Sequence, residues 1–211
     1  MKTITRREFL ARTALVAAGG AWLARSQAAE PSRIRLGSCT IGLDQAQKAG
    51  LAGVEINVGP AADRLQVADE EVRRGYKEQM QQSGLVVPSL MMGLLNGSPL
   101  ATDPRGPAWL EQSIDAARDL GAKVILVAFF GKGDLLDAKG QLKQQDIDVV
   151  IQRLRAAAPR AKDAGVTLAI ENHQDFGSAE LVALCEEAGP SVGICYDTGN
   201  SFPVAEAPLD F

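Results

Sequence analysis

Short apolar segments alternate along the chain with longer segments in which apolar residues recur every three or four positions. The short segments are rich in Val, Ile and Leu and are bounded by Gly or Pro, which predicts strands. Strands are predicted at residues 34–39, 53–58, 85–92, 124–130, 166–170 and 192–196. Helices are predicted between them, at residues 43–49, 68–83, 107–120, 144–164 and 178–187. This regular alternation predicts parallel βα units and therefore an α/β fold.

Three local features sharpen this outline. The continuous apolar run at residues 124–130 predicts a strand that is buried on both faces. Pro159 is expected to kink or split the helix at residues 144–164. Ser178 is expected to be the N-cap of the helix that follows it.

Two architectures fit parallel βα units, an open doubly wound sheet and a closed (β/α)₈ TIM barrel. The first predicted strand is not followed by the G-x-G-x-x-G pattern of dinucleotide-binding sheets. Polar residues instead follow or end three of the predicted strands, namely Glu55, Asn57, Glu171, His173, Asp197 and Asn200. Barrel enzymes carry their chemistry at this end of their strands, so the pattern favours the barrel and leaves the open sheet as the alternative.

Residues 1–29 have the features of a twin-arginine signal peptide. Arg6 and Arg7 precede an apolar run at residues 14–24, and small residues follow at 26–29. The apolar run is shorter than the ~20 residues that span a bilayer, so no stable membrane anchor is expected after cleavage. The segment therefore predicts export to the periplasm, and an amphipathic amino-terminal helix is the alternative.

Residues 30–211 are then the folded domain, and they contain six predicted strands rather than eight. A complete barrel typically needs ~250 residues, and six strands would leave an open sheet edge. We therefore expect a partial barrel, truncated after about six βα units, in a chain that is incomplete at its C-terminus. A partner chain that completes the barrel is the alternative.

Charge and cysteine content exclude some classes of function. The formal net charge is −4, and it becomes −8 without residues 1–29, which hold five of the 22 basic residues and one of the 26 acidic ones. An acidic surface argues against a nucleic-acid partner, because such binding depends on neutralising phosphates. The three cysteines form no C-x-x-C pair, so a zinc ribbon is not supported. They are expected to be small core residues, although a disulfide between Cys39 and Cys195 stays open.

Glu171 lies in the sequence LAIENH at residues 168–173. Side chains alternate along a strand, so Glu171 and His173 point to one side and Asn172 to the other. A carboxylate at the end of an apolar strand is costly to bury unless it is paired or bound to a metal ion. The residues therefore favour a metal ligand, and a loop cap or a pair with Lys132 is the alternative.

Asp197 ends the next predicted strand. Adjacent strands lie about 4.8 Å apart, so Glu171 and Asp197 are expected to reach the same ion. Hard carboxylate oxygens suit Mn²⁺ or Mg²⁺, and a neutral imidazole extends the choice to Zn²⁺ or Co²⁺. Asp before Thr-Gly-Asn is also a common turn former, which is the alternative for this residue.

Four segments together resemble the xylose isomerase-like TIM barrel superfamily, the sugar (phosphate) isomerases and epimerases. They are GVEI at residues 53–56, VILVAFFGKGDL at 124–135, LAIENH at 168–173 and CYDTGN at 195–200. The resemblance extends from about residue 34 to the end of the sequence. These motifs are specific for the superfamily and not for a substrate.

The resemblance implies a divalent metal held by Glu, Asp, His and Glu from the fifth to the eighth barrel strands. Glu171 and Asp197 match the first two ligands, and the other two have no counterpart in this sequence. Glu171 would also be the catalytic residue that moves a proton next to a carbonyl through an enediolate. A sugar-contacting His often lies three residues after the Asp ligand, where this sequence has Asn200.

The sequence therefore predicts a metal-dependent sugar, sugar-phosphate or ketose isomerase or epimerase, with impaired activity in this chain alone. Its expected partner is a small sugar or polyol ketone, with Glu55, Lys132, His173 and Asn200 as substrate-binding residues, and a homo-oligomer stays open. The alternatives are a lyase or dehydratase on the same scaffold and an inactive exported carbohydrate-binding barrel. An endonuclease of the same superfamily is disfavoured by the single histidine and the acidic charge.

Overall fold

The computed structural model describes residues 35–39, 41–128, 143–173, 176–207 and 209. The described residues from Leu36 onward belong to one compact unit. The predicted signal peptide at residues 1–29 lies outside the described residues, as does Lys132. In the described ranges no helix is long and apolar enough to cross a membrane.

The described strands pair in parallel throughout. They are β1 (Gly37–Ser38), β2 (Gly53–Val54), β3 (Ile56–Asn57), β4 (Ser89–Met91), β5 (Val124–Val127), β6 (Thr167–Glu171) and β7 (Val192–Cys195). β1 pairs with β2, and the order β3-β4-β5-β6-β7 makes a five-stranded sheet in which each strand neighbours the next in the sequence. β2 and β3 lie within the single predicted strand at residues 53–58, which is interrupted at Glu55.

Helices connect successive strands, as the alternating pattern predicts. They are α1 (Leu43–Lys48), α2 (Glu70–Ser83), α3 (Gly106–Leu120), α4 (Gln144–Ala164) and α5 (Ser178–Ala188), with short 3₁₀ turns at Gln66–Ala68, Gly93–Asn96 and Phe202–Val204. Three helices end at glycines in the left-handed region, Gly84 (φ 73°), Gly121 (φ 79°) and Gly165 (φ 66°). Pro159 lies inside α4 without splitting it.

The N-cap predicted for α5 is wrong by one residue. Gly177 is the N-cap, and Ser178 is the first residue of the helix. The Ser178 backbone N–H and hydroxyl donate to the Glu206 carboxylate, at 3.0 and 3.1 Å, and the Gly177 N–H donates to Glu180 Oε2 at 3.0 Å. A carboxylate is stabilised at the positive end of a helix, so Glu206 satisfies the free N–H of the first residue of α5.

The two sides of the five-stranded sheet are buried to different extents. On the side that packs against the helices, Leu90, Ile125, Leu168 and Ile170 are all 0% exposed. On the opposite side, Val124 and Leu126 are only half-buried. The prediction that the strand at residues 124–130 is buried on both faces is therefore wrong for its described part, because the described strands leave the side away from the helices partly open. We call this second side the lumenal side.

Candidate metal and sugar site

The register of β6 and β7 places the two predicted metal ligands on the same side of the sheet. Glu171 is paired with Cys195, and residues paired in a parallel ladder project to the same side. Asp197 follows Cys195 by two positions, so it continues the same alternation. Glu171 is half-buried and Asp197 is exposed.

The thiol of Cys195 responds to the negative charges of three carboxylates. Burial raises the pKa of Cys195 to about 11, together with the negative charges of Glu171, Glu55 and Asp197. Of these residues, Glu171 is paired with Cys195 in the ladder and so lies on the same lumenal side of the sheet. The thiol of Cys195 is protonated at neutral pH. All three cysteines are free, so the alternative of a disulfide between Cys39 and Cys195 is not seen.

The Asp197 carboxylate is held by the turn that follows it. The Gly199 backbone N–H donates to Oδ1 at 2.7 Å, and the Asn200 side-chain amide donates to Oδ2 at 3.1 Å. The turn-forming role weighed for Asp197 is therefore present. It does not compete with a metal, because each carboxylate oxygen has two lone pairs and keeps one. Asn200, predicted to bind substrate, thus contacts the predicted metal ligand.

Asn172 is a residue of the site whose role the sequence analysis did not predict. Its side-chain amide nitrogen donates to the Asp197 backbone carbonyl at 2.8 Å, and its Oδ1 accepts from the Asp197 backbone N–H at 2.6 Å. The side chain is 1% exposed. The only signal in the sequence is the alternation within residues 168–173, which directs Asn172 away from the lumenal side. His173, which follows it, is half-buried.

Glu55 lies on the lumenal side at the other end of the sheet. Its Oε2 accepts a hydrogen bond from Ser89 Oγ at 2.6 Å. Glu55 and Asn57 line a cavity of about 670 Å³ together with Cys39 and Gln66, a size suited to a small ligand. Asn57 Oδ1 accepts from the Gly59 N–H at 2.9 Å, and a Cβ on Gly93 would lie 2.5 Å from Asn57 Nδ2. Gly93 is therefore needed for the Asn57 side chain to lie where it does.

The donor chemistry of the described residues fits a divalent cation in part. Glu171 and Asp197 offer two carboxylates from neighbouring strands, which are the hard oxygen donors that Mg²⁺ and Mn²⁺ prefer. Within the described ranges, no three or more His, Cys, Asp or Glu side chains are grouped closely enough to hold a metal ion. Glu171 and Asp197 thus stay predicted ligands, and the described residues show two carboxylate donors of suitable chemistry.

The fold has many relatives among solved structures. A xylose isomerase domain protein from Planctomyces limnophilus gives a TM-score of 0.64 at 16% sequence identity, over 81% of this chain and 66% of that one. L-ribulose 3-epimerase gives a TM-score of 0.62 at 24% identity, over 82% and 63% of the two chains. A xylose isomerase-like TIM barrel protein from Mycobacterium smegmatis, solved with magnesium, gives 0.61 at 19% identity, over 75% and 55%. This chain spans less than two thirds of the length of each of these structures.

No curated protein sequence matches the chain significantly. Residues 43–209 match the sequence family described as Xylose isomerase-like TIM barrel, which is most of the described fold. The succession of parallel βα units and the solved relatives agree with that match. The chain therefore belongs to the xylose isomerase-like TIM barrel family, which confirms the α/β barrel fold predicted from the sequence.

Proposed function

We propose that this chain carries part of the active site of a metal-dependent sugar isomerase or epimerase. The observation that carries the proposal is the register of β6 and β7, which places Glu171 and Asp197 at neighbouring strand ends on the lumenal side. Barrel enzymes place their chemistry at this end of their strands. The similarity in fold to L-ribulose 3-epimerase supports a ketose as the substrate class.

Glu171 is the proposed catalytic base. A half-buried carboxylate at the end of an apolar strand is suited to take a proton from the carbon next to a carbonyl and return it. Glu171 and Asp197 would hold a divalent metal, with Mn²⁺ or Mg²⁺ preferred and Zn²⁺ or Co²⁺ as the alternatives. Such an ion supplies stabilisation of the negative charge that develops on the carbonyl oxygen. The magnesium-bound relative supports this choice of metal.

Sugar hydroxyls would be bound by polar groups on the lumenal side. Glu55 accepts from Ser89 through Oε2, and its Oε1 is the oxygen proposed to accept from a sugar hydroxyl. His173 and Asn200 lie close along the chain to the two proposed ligands. Lys132, the fourth predicted contact, lies outside the described residues. Two carboxylates alone hold a divalent ion weakly, so we expect slow turnover by this chain.

Proton exchange tests the proposed chemistry more sensitively than product formation, because exchange needs only the first half of the reaction. The chain is incubated with Mn²⁺ and a ketose such as L-ribulose in D₂O, and deuterium at the carbon next to the carbonyl is followed by NMR. We expect deuterium uptake with the unaltered chain and its loss with Glu171→Gln. Equal uptake by both proteins, or none by either, would contradict the proposal. A substrate that loses water instead identifies a lyase, and sugar binding without exchange identifies a binding protein.

We also propose that residues 1–29 direct export to the periplasm through the twin-arginine pathway. The support is the order of Arg6-Arg7, the apolar run at residues 14–24 and the small residues before Glu30. A fusion of residues 1–29 to a fluorescent protein that folds before export should reach the periplasm. Replacement of both arginines, Arg6→Lys and Arg7→Lys, should keep it in the cytoplasm. Export of the double variant at the unaltered level would contradict this assignment.

A further inference from the structure

The ladder between β6 and β7 is extended beyond its last backbone pair by a side chain. Backbone pairing ends at Glu171 and Cys195. Beyond it, the Asn172 side chain bonds both backbone groups of Asp197, donating to the carbonyl at 2.8 Å and accepting from the N–H at 2.6 Å. A primary amide carries the same donor and acceptor as a backbone peptide group. Asn172 therefore makes the contacts that one further strand residue would make.

Burial makes this arrangement rigid. Asn172 is 1% exposed, so its amide cannot exchange its partners for water. A buried polar group that loses its partner bears the full cost of its desolvation. Backbone positions of Asp197 that break either hydrogen bond are disfavoured for this reason.

The same residue connects the two proposed metal ligands. Asn172 follows Glu171 directly in the chain and holds the Asp197 backbone 25 residues later. The Asp197 carboxylate is then oriented by Gly199 and Asn200. The separation between the two ligands is therefore set at Asn172, which itself projects away from the lumenal side.

We propose that Asn172 is a positioning residue that fixes the Asp197 backbone relative to Glu171, and so prepares both carboxylates to hold one divalent cation. The inference rests on the proposed function, because it assumes that these carboxylates bind the cation. Replacing a residue that orients a metal ligand typically weakens metal affinity about 10–100-fold. The structure assigns this role to the amide, since an aspartate here would lose the donor to the Asp197 carbonyl.

The principal test measures Mn²⁺ affinity of the full chain by the EPR signal of free Mn²⁺. Asn172→Leu keeps a similar volume and removes both hydrogen bonds, and we expect it to weaken Mn²⁺ binding at least tenfold. Leu154→Ala, which removes a fully buried side chain of α4, serves as the control for lost stability and should leave the affinity unchanged. Equal affinity of Asn172→Leu and the unaltered chain overturns the inference.

Asp197→Asn separates this inference from the proposed function. If Asp197→Asn weakens Mn²⁺ binding but Asn172→Leu does not, the positioning role fails and the metal site stands. If the unaltered chain does not bind Mn²⁺, or binds it no better than Asp197→Asn, both fail.

A measurement on the unaltered protein keeps the inference testable if the variants do not fold. In NMR spectra the Asn172 side-chain NH₂ should exchange with solvent more slowly than that of the exposed Asn96, and its resonance should shift when Mg²⁺ is added. Exchange as fast as that of Asn96, or no shift at saturating Mg²⁺, overturns it.

Discussion

The helix-packed side and the lumenal side of the five-stranded sheet are built from the same strands but differ in chemistry. On the helix-packed side, alternate residues such as Ile125 and Leu168 are completely buried. On the lumenal side, the strands carry Glu171 and Cys195, and Glu55 lies just before β3. All three residues are half-buried. A strand places successive side chains on opposite sides, so each strand contributes to both. Stability is therefore expected to depend mainly on the first side and ligand binding on the second.

The largest effect is expected from shortening a side chain on the helix-packed side. Ile125→Ala should lower the free energy of unfolding by about 2–5 kcal/mol, because it removes buried methyl groups and leaves a cavity. Leu126→Ala, on the next residue but on the lumenal side, is the matched control and should cost clearly less, because Leu126 is half-buried. Urea denaturation of both variants measures the difference. Equal losses would contradict the division between the two sides.

A smaller effect is expected from an ion pair in the loop that precedes α3. Hydrogen bonds from Arg105, at 3.0 and 2.8 Å, lower the pKa of Asp103 from its usual 3.8 to about 2. The pKa of Asp103 is lower in the folded state than in the unfolded state, so the ionised carboxylate stabilises the folded protein. This contribution is fully present above about pH 4 and is lost as the pH falls toward 2. Asp103→Asn should cost about 1 kcal/mol at pH 7, reduced by solvent screening of a pair near the surface.

The pH profile distinguishes this origin from others. Thermal unfolding between pH 2 and pH 7 should show a shallower acid limb for Asp103→Asn than for the unaltered chain. Asp115→Asn, which removes the more exposed pair with Arg160, is the control and should leave that limb nearly unchanged. Parallel profiles for Asp103→Asn and the unaltered chain would show that this pair does not contribute.

On the lumenal side, Ser89→Ala should have a modest effect on stability and a specific effect on binding. The Ser89 hydroxyl orients Glu55 through one half-buried hydrogen bond, worth about 0.5–1.5 kcal/mol. Its loss leaves the Glu55 carboxylate free to change rotamer, so we expect several-fold weaker sugar binding in a calorimetric titration. Ser89→Thr retains the hydroxyl and should retain most of the affinity. A Ser89→Ala protein that binds sugar normally would show that Glu55 needs no such support.

The smallest effect is expected at the start of α5. Glu206→Gln keeps an acceptor for Ser178 but removes the negative charge near the helix N-terminus. Interactions of charges with helix ends typically contribute about 0.3–1 kcal/mol, and added salt weakens them. The difference in melting temperature between Glu206→Gln and the unaltered chain should therefore shrink at high salt. A difference that does not respond to salt would point to lost hydrogen bonding instead.

The sequence predicts well what depends on local pattern. The predicted helices at residues 68–83, 107–120 and 144–164 end where predicted, each followed by a glycine in the left-handed region that stops a helix. The placement of Glu171 and Asp197 follows from strand alternation and the parallel order of neighbouring strands. These are short-range rules, and they position both proposed ligands on the lumenal side.

Contacts between distant parts of the chain could not be predicted in the same way. Alternation shows that Asn172 projects away from the lumenal side, but not that Asp197 returns to pair with it 25 residues later. The cap from Glu206 to Ser178 spans 28 residues, and nothing near Ser178 signals it. The burial of residues 124–127 depends on what covers the lumenal side, which no local pattern records.

The bond between Glu206 and Ser178 has a consequence for how this end of the chain opens. It ties the residues after β7 to the first turn of α5. The bond therefore closes the segment from Ser178 to Glu206, which contains α5, β7 and the 3₁₀ turn at Phe202–Val204. Release of residues 201–206 would uncap α5 at the same moment, and fraying of α5 would free the segment. We expect the backbone amides of both segments to exchange with solvent at matching rates, as a single cooperative opening unit.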